Sequence, residues 1–588
     1  MRSLSGSVVF PGLLLLILSL PWPTLPGQGL TVTLSLLVWL WGALCSAALL
    51  WVVRHRRQWR GGWQARVLLA GLLLMSLPLL WTPDGFRLAA LWRLAGMGAL
   101  LLFFLALRQY PFRGAVRDRL YALVVLAALI QSAFVGLQLW FPAQAHALLH
   151  YSFTQMNGRP TGTLLQTNLL GSFLATGLLC ALWRSMPAMS WRAFAARGVA
   201  VVILSAALVM TESRTALLGG GLAAIMLLIL ARFTPVSRRG LLVALLLAGG
   251  LAGHAGGLAR PAALPVTQAG DVRPTDTAGR LAWSRQQSGH ERRVMLQGAR
   301  AMIADQPLAG QGLATFETRF PEALSSAGIV NPFTVTVTHP HNELLYVWSE
   351  GGLAALAGLL LWGGVLAWPV LNVVTAPRRW RVAARGVLVL PLALHLMTEL
   401  PLYLSAAHGI LLAVLLRLAL PSGARRLLSC PPRPHRRVRG GVVAGLVVCA
   451  AGALFIATAL QSAFRLQDAE RFHLMDPTPL TQLLNPYAQS DRLLFDQAVS
   501  DLMTYNLTQD PALIGAFRAR ATDWLSRHND ASLTATLQQI ALSEHRFTDA
   551  LYWQQRGCRS FARDPRFHCQ LNDPSVRQEH RDVSTFSD

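Results

Sequence analysis

Residues 199–230 read VAVVILSAALVMTESRTALLGGGLAAIMLLIL, two apolar blocks parted only by the polar turn Glu212-Ser213-Arg214. Each block is close to the length that crosses a bilayer core as a helix. The turn between them is too short to be a solvated loop. It therefore lies at a membrane boundary, tied to two helix ends. Outward from this hairpin the same pattern repeats along a chain of 588 residues, 53% of them hydrophobic. About thirteen such blocks fall near 8–25, 30–53, 67–81, 88–107, 119–141, 164–183, 197–212, 215–231, 240–257, 343–367, 386–402, 404–420 and 440–461. The fold class expected is all-α, a polytopic membrane protein of about 13 transmembrane helices. Four parts follow: helices 1–9 in 1–257, a large loop at 258–342, helices 10–13 in 343–461, and a polar tail at 462–588.

The formal charge of +24 first suggests a nucleic-acid partner. The location of the charge argues against one. The chain has no lysine, and 26 of its 52 basic residues fall in alternate loops at 54–66, 108–119, 184–197, 232–239, 378–385 and 417–439. Those loops hold one acid, Asp118, whereas the rest of the chain has 26 arginines and 27 acids. This is the bias of cytoplasmic loops, so no nucleic-acid partner is expected. It predicts a cytoplasmic N-terminus and an outer C-terminus. It also puts 142–163, the turn at 212–214, 258–342, the turn near 402–404 and everything after Gln461 outside. The first block, after a lone Arg2, lacks a clear small-x-small cleavage site.

The loop at 258–342 begins Pro/Gly/Ala/Thr-rich and becomes helical in ERRVMLQGARAMIADQP, with Val294, Met295, Ala299 and Met302 at helical spacing. In the tail, two helices joined at Glu544-His545-Arg546 would turn Leu537, Ile540, Ala541, Ala550 and Leu551 inward, like one tetratricopeptide (TPR-like) hairpin. That tail is either a packing domain or a docking surface for a partner. Cys558 and Cys569 share it and can pair in an oxidising compartment.

Several outer residues have the chemistry of a site. Arg214 offers a planar fork suited to phosphate oxygens, unless Glu212 merely neutralises it. Arg292 opens a helix, where anions are already favoured. Arg159, Gln166 and Asn168 lie at the entry of the sixth block, where the amides serve helix packing or ligand hydroxyls. Glu399 and Tyr403 fall at a Pro401-split turn, with His395 one helical turn deeper and His408 on the return helix. In Thr338-His339-Pro340-His341-Asn342-Glu343, two histidines precede an apolar run. They can act as metal ligands, as a neutral general base, or as part of a cap with Asn342 at the N-cap. The spacing lacks the i, i+4 geometry of a helical zinc site and no fourth ligand is evident, so no metal is expected. No cofactor is expected either.

These residues resemble the O-antigen ligase/Wzy superfamily. HNELLYVWSEGG looks like its signature of His, a polar residue, nine residues and Gly, here His341, Asn342 and Gly352. Ser213-Arg214 is similar to its Ser-Arg turn, and the helix around Arg292 is similar to its outer-loop helix. Leu296 and Gln306 replace the usual Trp and His. RPTGTLLQTN and the polar tail resemble the bacterial protein O-oligosaccharyltransferases (PglL-like) in particular. The resemblance implies a multi-pass protein of the bacterial inner membrane with a periplasmic C-terminal domain. It implies an undecaprenyl-pyrophosphate-linked oligosaccharide as donor and Ser/Thr of a periplasmic protein, such as a pilin, as acceptor. His341 would be the general base, Arg214 and Arg292 would hold the pyrophosphate, and Gln166 and Tyr403 would be lesser contacts. His339, Asn342, Asn168, Arg159 and Glu399 are supporting candidates. The alternatives are a ligase joining O-antigen to lipid A-core, an O-antigen polymerase, and a transporter of lipid-linked sugar.

Overall fold

A computed structural model describes residues 32–54, 61–259, 277–375, 380–420 and 436–569, apart from 111, 113, 155, 157, 188 and 233. The block predicted at 8–25 lies outside these residues. Among the described residues the structure is helical, with no strand. The first five helices are α1 (Thr33–Val53), α2 (Gly62–Ser76), α3 (Asp84–Arg108), α4 (Gly114–Trp140) and α5 (Pro142–Leu149). Then come α6 (Thr167–Ser185), α7 (Trp191–Met210), α8 (Arg214–Leu230) and α9 (Val236–Leu258). After the loop helices α10 (Thr277–Asp305) and α11 (Phe316–Ser326), the chain continues as α12 (Glu343–Thr375). Among the described residues, eight helices are long and apolar enough to cross a membrane, and α8 is a shorter apolar one. The protein is an all-α polytopic membrane protein.

The block predicted at 386–402 is not one helix. It is broken into α13 (Trp380–Val387), α14 (Leu390–His395) and α15 (Pro401–Leu404), before α16 (Ala406–Ala419). Pro391 and Pro401 stand in the first turns of α14 and α15, where a missing N–H costs least. The break exposes carbonyls to a neighbour. Leu396 O accepts Glu343 N–H at 3.1 Å, and Met397 O accepts the Asn342 side-chain amide at 3.4 Å. The start of α12 is thereby fixed against the broken span.

Small residues decide which helices touch. On α8, Gly219, Gly220, Ala223 and Leu227 face inward, whereas Leu218, Leu222, Ile225 and Ile229 are exposed at helical spacing, as a lipid-facing stripe requires. At Gly171 of α6 an added Cβ would lie 2.7 Å from Ala216 Cβ and 3.0 Å from Ser213 Cβ. This close approach sets the 212–214 turn beside the start of α6.

The loop folds over one end of the bundle. Val294, Ala299 and Met302 of α10 are buried with Phe316, Phe320 and Tyr346, as their spacing predicts, and Met295 packs at the edge. The last apolar helix, α17 (Arg436–Arg471), leads into the tail helices α18 (Ser490–Thr508), α19 (Pro511–Leu525), α20 (Ala531–Ser543) and α21 (Phe547–Ser560). Leu537, Ala541 and Ala550 are buried, and Ile540 packs against the same core. Leu551, expected inward, is 52% exposed. The buried face of α21 runs through Ala550, Trp553 and Gly557, and position 551 lies about 100° off it. Cys558 and Cys569 form a disulfide. The tail is bound to the loop by polar contacts. Glu317 accepts Asn529 N–H at 2.7 Å and His528 Nδ1 at 3.2 Å, and the Asn331 amide donates to Ser560 O at 2.9 Å.

Candidate active site

The predicted residues from three separate regions meet at the end of the bundle beneath the loop, with Glu399 at their centre. The Gln166 amide donates to Glu399 Oε2 at 2.9 Å, and the Asn168 amide donates to Oε1. Asn168 Oδ1 in turn accepts the Ser213 hydroxyl at 2.7 Å, while Ser213 Oγ caps α8 through Ala216 N–H. The guanidinium of Arg159 donates to the carbonyls of Thr211 and Glu212, so it supports the turn from behind. Arg214 follows that cap as the first residue of α8. It is exposed and makes no hydrogen bond or ion pair with the described residues.

Behind Glu399 a buried chain of hydrogen bonds enters the bundle. His395 Nε2 is 3.3 Å from Glu399 Oε2, and His395 Nδ1 is 2.8 Å from Ser172 Oγ. His408 Nε2 contacts Ser172 Oγ at 3.2 Å and Leu169 O at 3.0 Å, and its Nδ1 meets Ser405 Oγ at 2.9 Å. One proton assignment satisfies every member with both rings neutral. His395 donates to Glu399 and accepts from Ser172, and His408 donates to Leu169 O and accepts from Ser405. His395 and His408 therefore hold Glu399 from behind and do not face the site.

His341 sits just before α12 with a left-handed φ of +54°, a backbone conformation uncommon outside glycine. Asn342 is the N-cap, its Oδ1 accepting Leu345 N–H at 3.1 Å. The rings of His339 and His341 lie 4.4 Å apart. His341 Nδ1 and His339 Nε2 are both buried without a partner, as is Gln166 Oε1. Burial pushes the His341 pKa below its ordinary value, Glu399 opposes this and Arg292 reinforces it. Burial and the neighbouring His341 push His339 down to about 4. Both rings are thus neutral near pH 7, and each has one ring nitrogen without a partner. Thr338 Oγ1 lies 2.9 Å from His339 Nδ1. Arg292 does not open a helix as expected: α10 begins at Thr277, so Arg292 stands mid-helix and no helix N-terminus adds to its charge. It is half-buried, makes no ion pair with the described residues, and its charge acts on His341.

A second network joins the site to the bundle. The Tyr403 hydroxyl donates to Glu343 Oε1 at 3.0 Å, and Arg93 on α3 pairs with Glu350 Oε2 at 2.5 Å. Glu350 also accepts the N–H groups of Ala314 and Phe316 at 3.0 Å each. The loop is thus bound to both α12 and α3 by one carboxylate. The sequence pattern hides Arg93 inside the apolar block at 88–107. The one signal it offers is a lone arginine within a span. Arg93, Glu343 and Tyr403 form the polar end of a cavity of about 370 Å³, which runs between helices along apolar walls such as Met97, Trp362, Leu366 and Leu412. Among the described residues no group of three or more His, Cys, Asp or Glu side chains has metal-site geometry.

Gly352, eleven residues after His341, breaks the helix geometry of α12 with φ 62° and ψ −161°. The backbone of Leu308–Gly310 docks there, with Leu353 N–H donating to Leu308 O at 3.0 Å and Gly312 N–H to Glu350 O at 2.9 Å. The histidine-to-glycine spacing therefore has a geometric basis: it sets how far from His341 the loop is clamped.

Residues 199–360 match the family model described as O-antigen ligase (Wzy_C). The matched segment runs from the hairpin of α7 and α8 through the loop and into α12. It includes Arg214, Arg292, His341 and Gly352. No curated protein matches the chain at a significant level.

Proposed function

From the match of residues 199–360 to the family model described as O-antigen ligase, we propose that the chain is an O-oligosaccharyltransferase of the Wzy superfamily. It moves a preassembled glycan from a polyprenyl pyrophosphate to a Ser or Thr hydroxyl of a protein outside the cytoplasm. The observation that carries this reading is the neutral His341, whose buried Nδ1 has no partner and which lies within reach of the Arg292 charge. A donor in which a sugar is bonded to pyrophosphate needs a base for the acceptor and cations for the leaving group, and this site offers both. The arginine bias of the loops supports a site on the outer face.

In this mechanism the acceptor hydroxyl oxygen attacks the anomeric carbon and its proton passes to His341. The bond between the anomeric carbon and the phosphate oxygen breaks, and the polyprenyl pyrophosphate leaves with the electron pair. Arg214 and Arg292 stabilise the charge that develops on it. The N-terminus of α8 adds its own favourable field beside Arg214. Gln166, with one amide oxygen unpartnered, and Asn168 are held by Glu399 where sugar hydroxyls would pass. The apolar cavity behind Tyr403 suits the first isoprene units of the donor. Arg214→Ala and Arg292→Ala should each lower kcat/KM by about 10–100-fold, the loss of one charge-assisted contact. Folding should be unchanged, because neither arginine has a partner among the described residues. A steady-state assay with a thermal unfolding control checks this.

The pH profile follows from the burial of His341. Its conjugate acid is inactive as base, and its pKa lies below the ordinary histidine value of about 6.5. Transfer should therefore stay level as pH falls from about 8 to about 6.5 and decline only below that. An acid limb centred at or above about 7 would contradict the assignment.

The tail supports a protein acceptor. It is bound to the loop through Glu317, Asn331 and Thr336, and the last two lie just ahead of His339 and His341. A second reading, ligation of O-antigen to lipid A-core, is favoured by the description of the matching family itself. One assay separates them. Purified protein is given lipid-linked glycan together with a pilin-like protein and lipid A-core, and both products are quantified. Glycosylated protein is expected; product on lipid A-core alone would establish the second reading.

A further inference from the structure

Between α17, α18 and α19 the tail holds an open pocket of about 620 Å³, separate from the site under the loop. Its walls are apolar: Leu474, Phe495, Val499, Met503 and Trp524. Of the three basic residues in its lining, His473 is exposed and the other two are paired. Arg492 holds Glu470 through two bonds of 2.6 and 2.8 Å, and His528 lies 3.2 Å from Glu317 and 3.5 Å from Asp491. Two buried atoms in the lining have no hydrogen-bond partner, His528 Nε2, which faces Asp491 at 3.5 Å, and Asp496 Oδ2. Asp496 is only 2% exposed, lines the pocket, and its Oδ2 has no hydrogen-bond partner. A buried carboxyl oxygen without a donor is costly unless a ligand supplies one.

We propose that this pocket binds a lysine or arginine side chain of the acceptor protein, its stem along the apolar walls and its cationic head on Asp496. This rests on the protein-acceptor reading above. Apolar walls around a single unpartnered carboxyl match a methylene stem ending in a charge. A small polyol would leave those walls uncovered, and a wholly apolar segment would leave Oδ2 unpaired. The pocket is also linked to the site. His528 in its wall bonds Glu317 of α11, and Phe316, next in that helix, packs on Tyr346 of α12. A protein engaged in the pocket is thereby held on the rigid unit that carries His341.

Binding should release a proton. Burial and the neighbouring Glu470 push Asp496 up to about 8, against the pull of Arg492. Below that pH the carboxyl is neutral, and a cation favours its ionised form, so affinity rises as pH climbs towards 8. Across the pocket, Asp491 and Glu317 hold His528 up at about 9 despite burial, and Asp491 itself is held below its ordinary value, first by His528. Asp491 is therefore ionised across the range in which Asp496 titrates, and His528 loses its proton about one pH unit higher.

The test uses the full-length protein in nanodiscs and calorimetric titration with two blocked peptides, Ala-Leu-Arg-Leu-Ala and the same peptide with norleucine for arginine. The arginine peptide should bind at least tenfold more tightly, with affinity rising from about pH 6.5 to 8 and heats that depend on the buffer. Asp496→Asn should remove the preference. Met503→Arg, which puts a fixed cation at the partly exposed rim, should do the same without changing thermal unfolding. Equal binding of the two peptides, or a preference that survives both variants, overturns the proposal. In the transfer assay Asp496→Asn should raise KM for the protein acceptor about tenfold with kcat unchanged. Failure of the wild-type protein to glycosylate any protein would overturn the protein-acceptor reading, while the peptide titration still decides the pocket.

Discussion

Replacing His341 with alanine should lower kcat for glycan transfer by about 10²–10⁴-fold, the usual range for loss of a positioned general base. KM for the donor should change little. In the proposed mechanism the phosphate contacts come from Arg214 and Arg292, and His341→Ala leaves both in place. The fold should also survive. Asn342, not His341, caps α12, and the docked backbone at Gly352 lies about three turns away. The paired variant His339→Ala should cost far less, because the Nδ1 of that ring is engaged with Thr338 and its pKa of about 4 makes it a poor base. A His341→Ala protein that transfers at the wild-type rate would remove the proposed base. Equal losses in the two variants would mean the rings act as a packed pair, without a division of roles.

The second large effect is structural. Gly352→Ala should destabilise the loop-bearing end of the protein by about 2–4 kcal/mol and abolish most transfer. The backbone here has φ +62° and ψ −161°, a region open essentially to glycine alone. The added Cβ would sit 2.0 Å from Leu308 O and 2.6 Å from Ala309 C. These are backbone atoms that cannot rotate away. Relief requires the 308–312 segment to lift. That movement breaks the Leu353–Leu308 and Gly312–Glu350 bonds and loosens the grip of Glu350 on Ala314 and Phe316. Gly363→Ala, on the same helix with open space around it, is the control and should be neutral or slightly stabilising. Thermal unfolding of the two variants side by side checks the claim.

Both effects fall on a motif that is legible in the amino-acid sequence, and the reasons show how far sequence carries. The apolar blocks form helices because a bilayer-spanning chain must satisfy its backbone internally. The hairpin at 199–230 is therefore readable down to the tight turn before Arg214. His341 and Asn342 are legible as candidate base and cap, because the cap needs a short polar side chain just there. Other features depend on contacts between distant segments. The break at 396–400 is needed to receive Glu343 and Asn342, and nothing local except Pro391 and Pro401 announces it. Arg93 is hidden in an apolar run, and its partner Glu350 lies on a helix far along the chain. Local spacing shows Glu399 only as a helix-break residue one turn from His395; the fold alone brings Gln166 and Asn168 onto its two oxygens. Leu551 has the apolar character of a core residue but stands off the face set by Ala550, Trp553 and Gly557.

The central claim is that the end of the bundle beneath the loop transfers a glycan from a lipid pyrophosphate, with His341 as base. Its most direct test is a single-turnover reaction of purified protein with labelled lipid-linked glycan and a protein acceptor, with His341→Ala run alongside. The account predicts one polyprenyl pyrophosphate released for each glycan attached to a Ser or Thr of the acceptor by the wild type, and almost none of either by the variant. Equal transfer by both proteins, or donor consumed without release of the pyrophosphate, would contradict it.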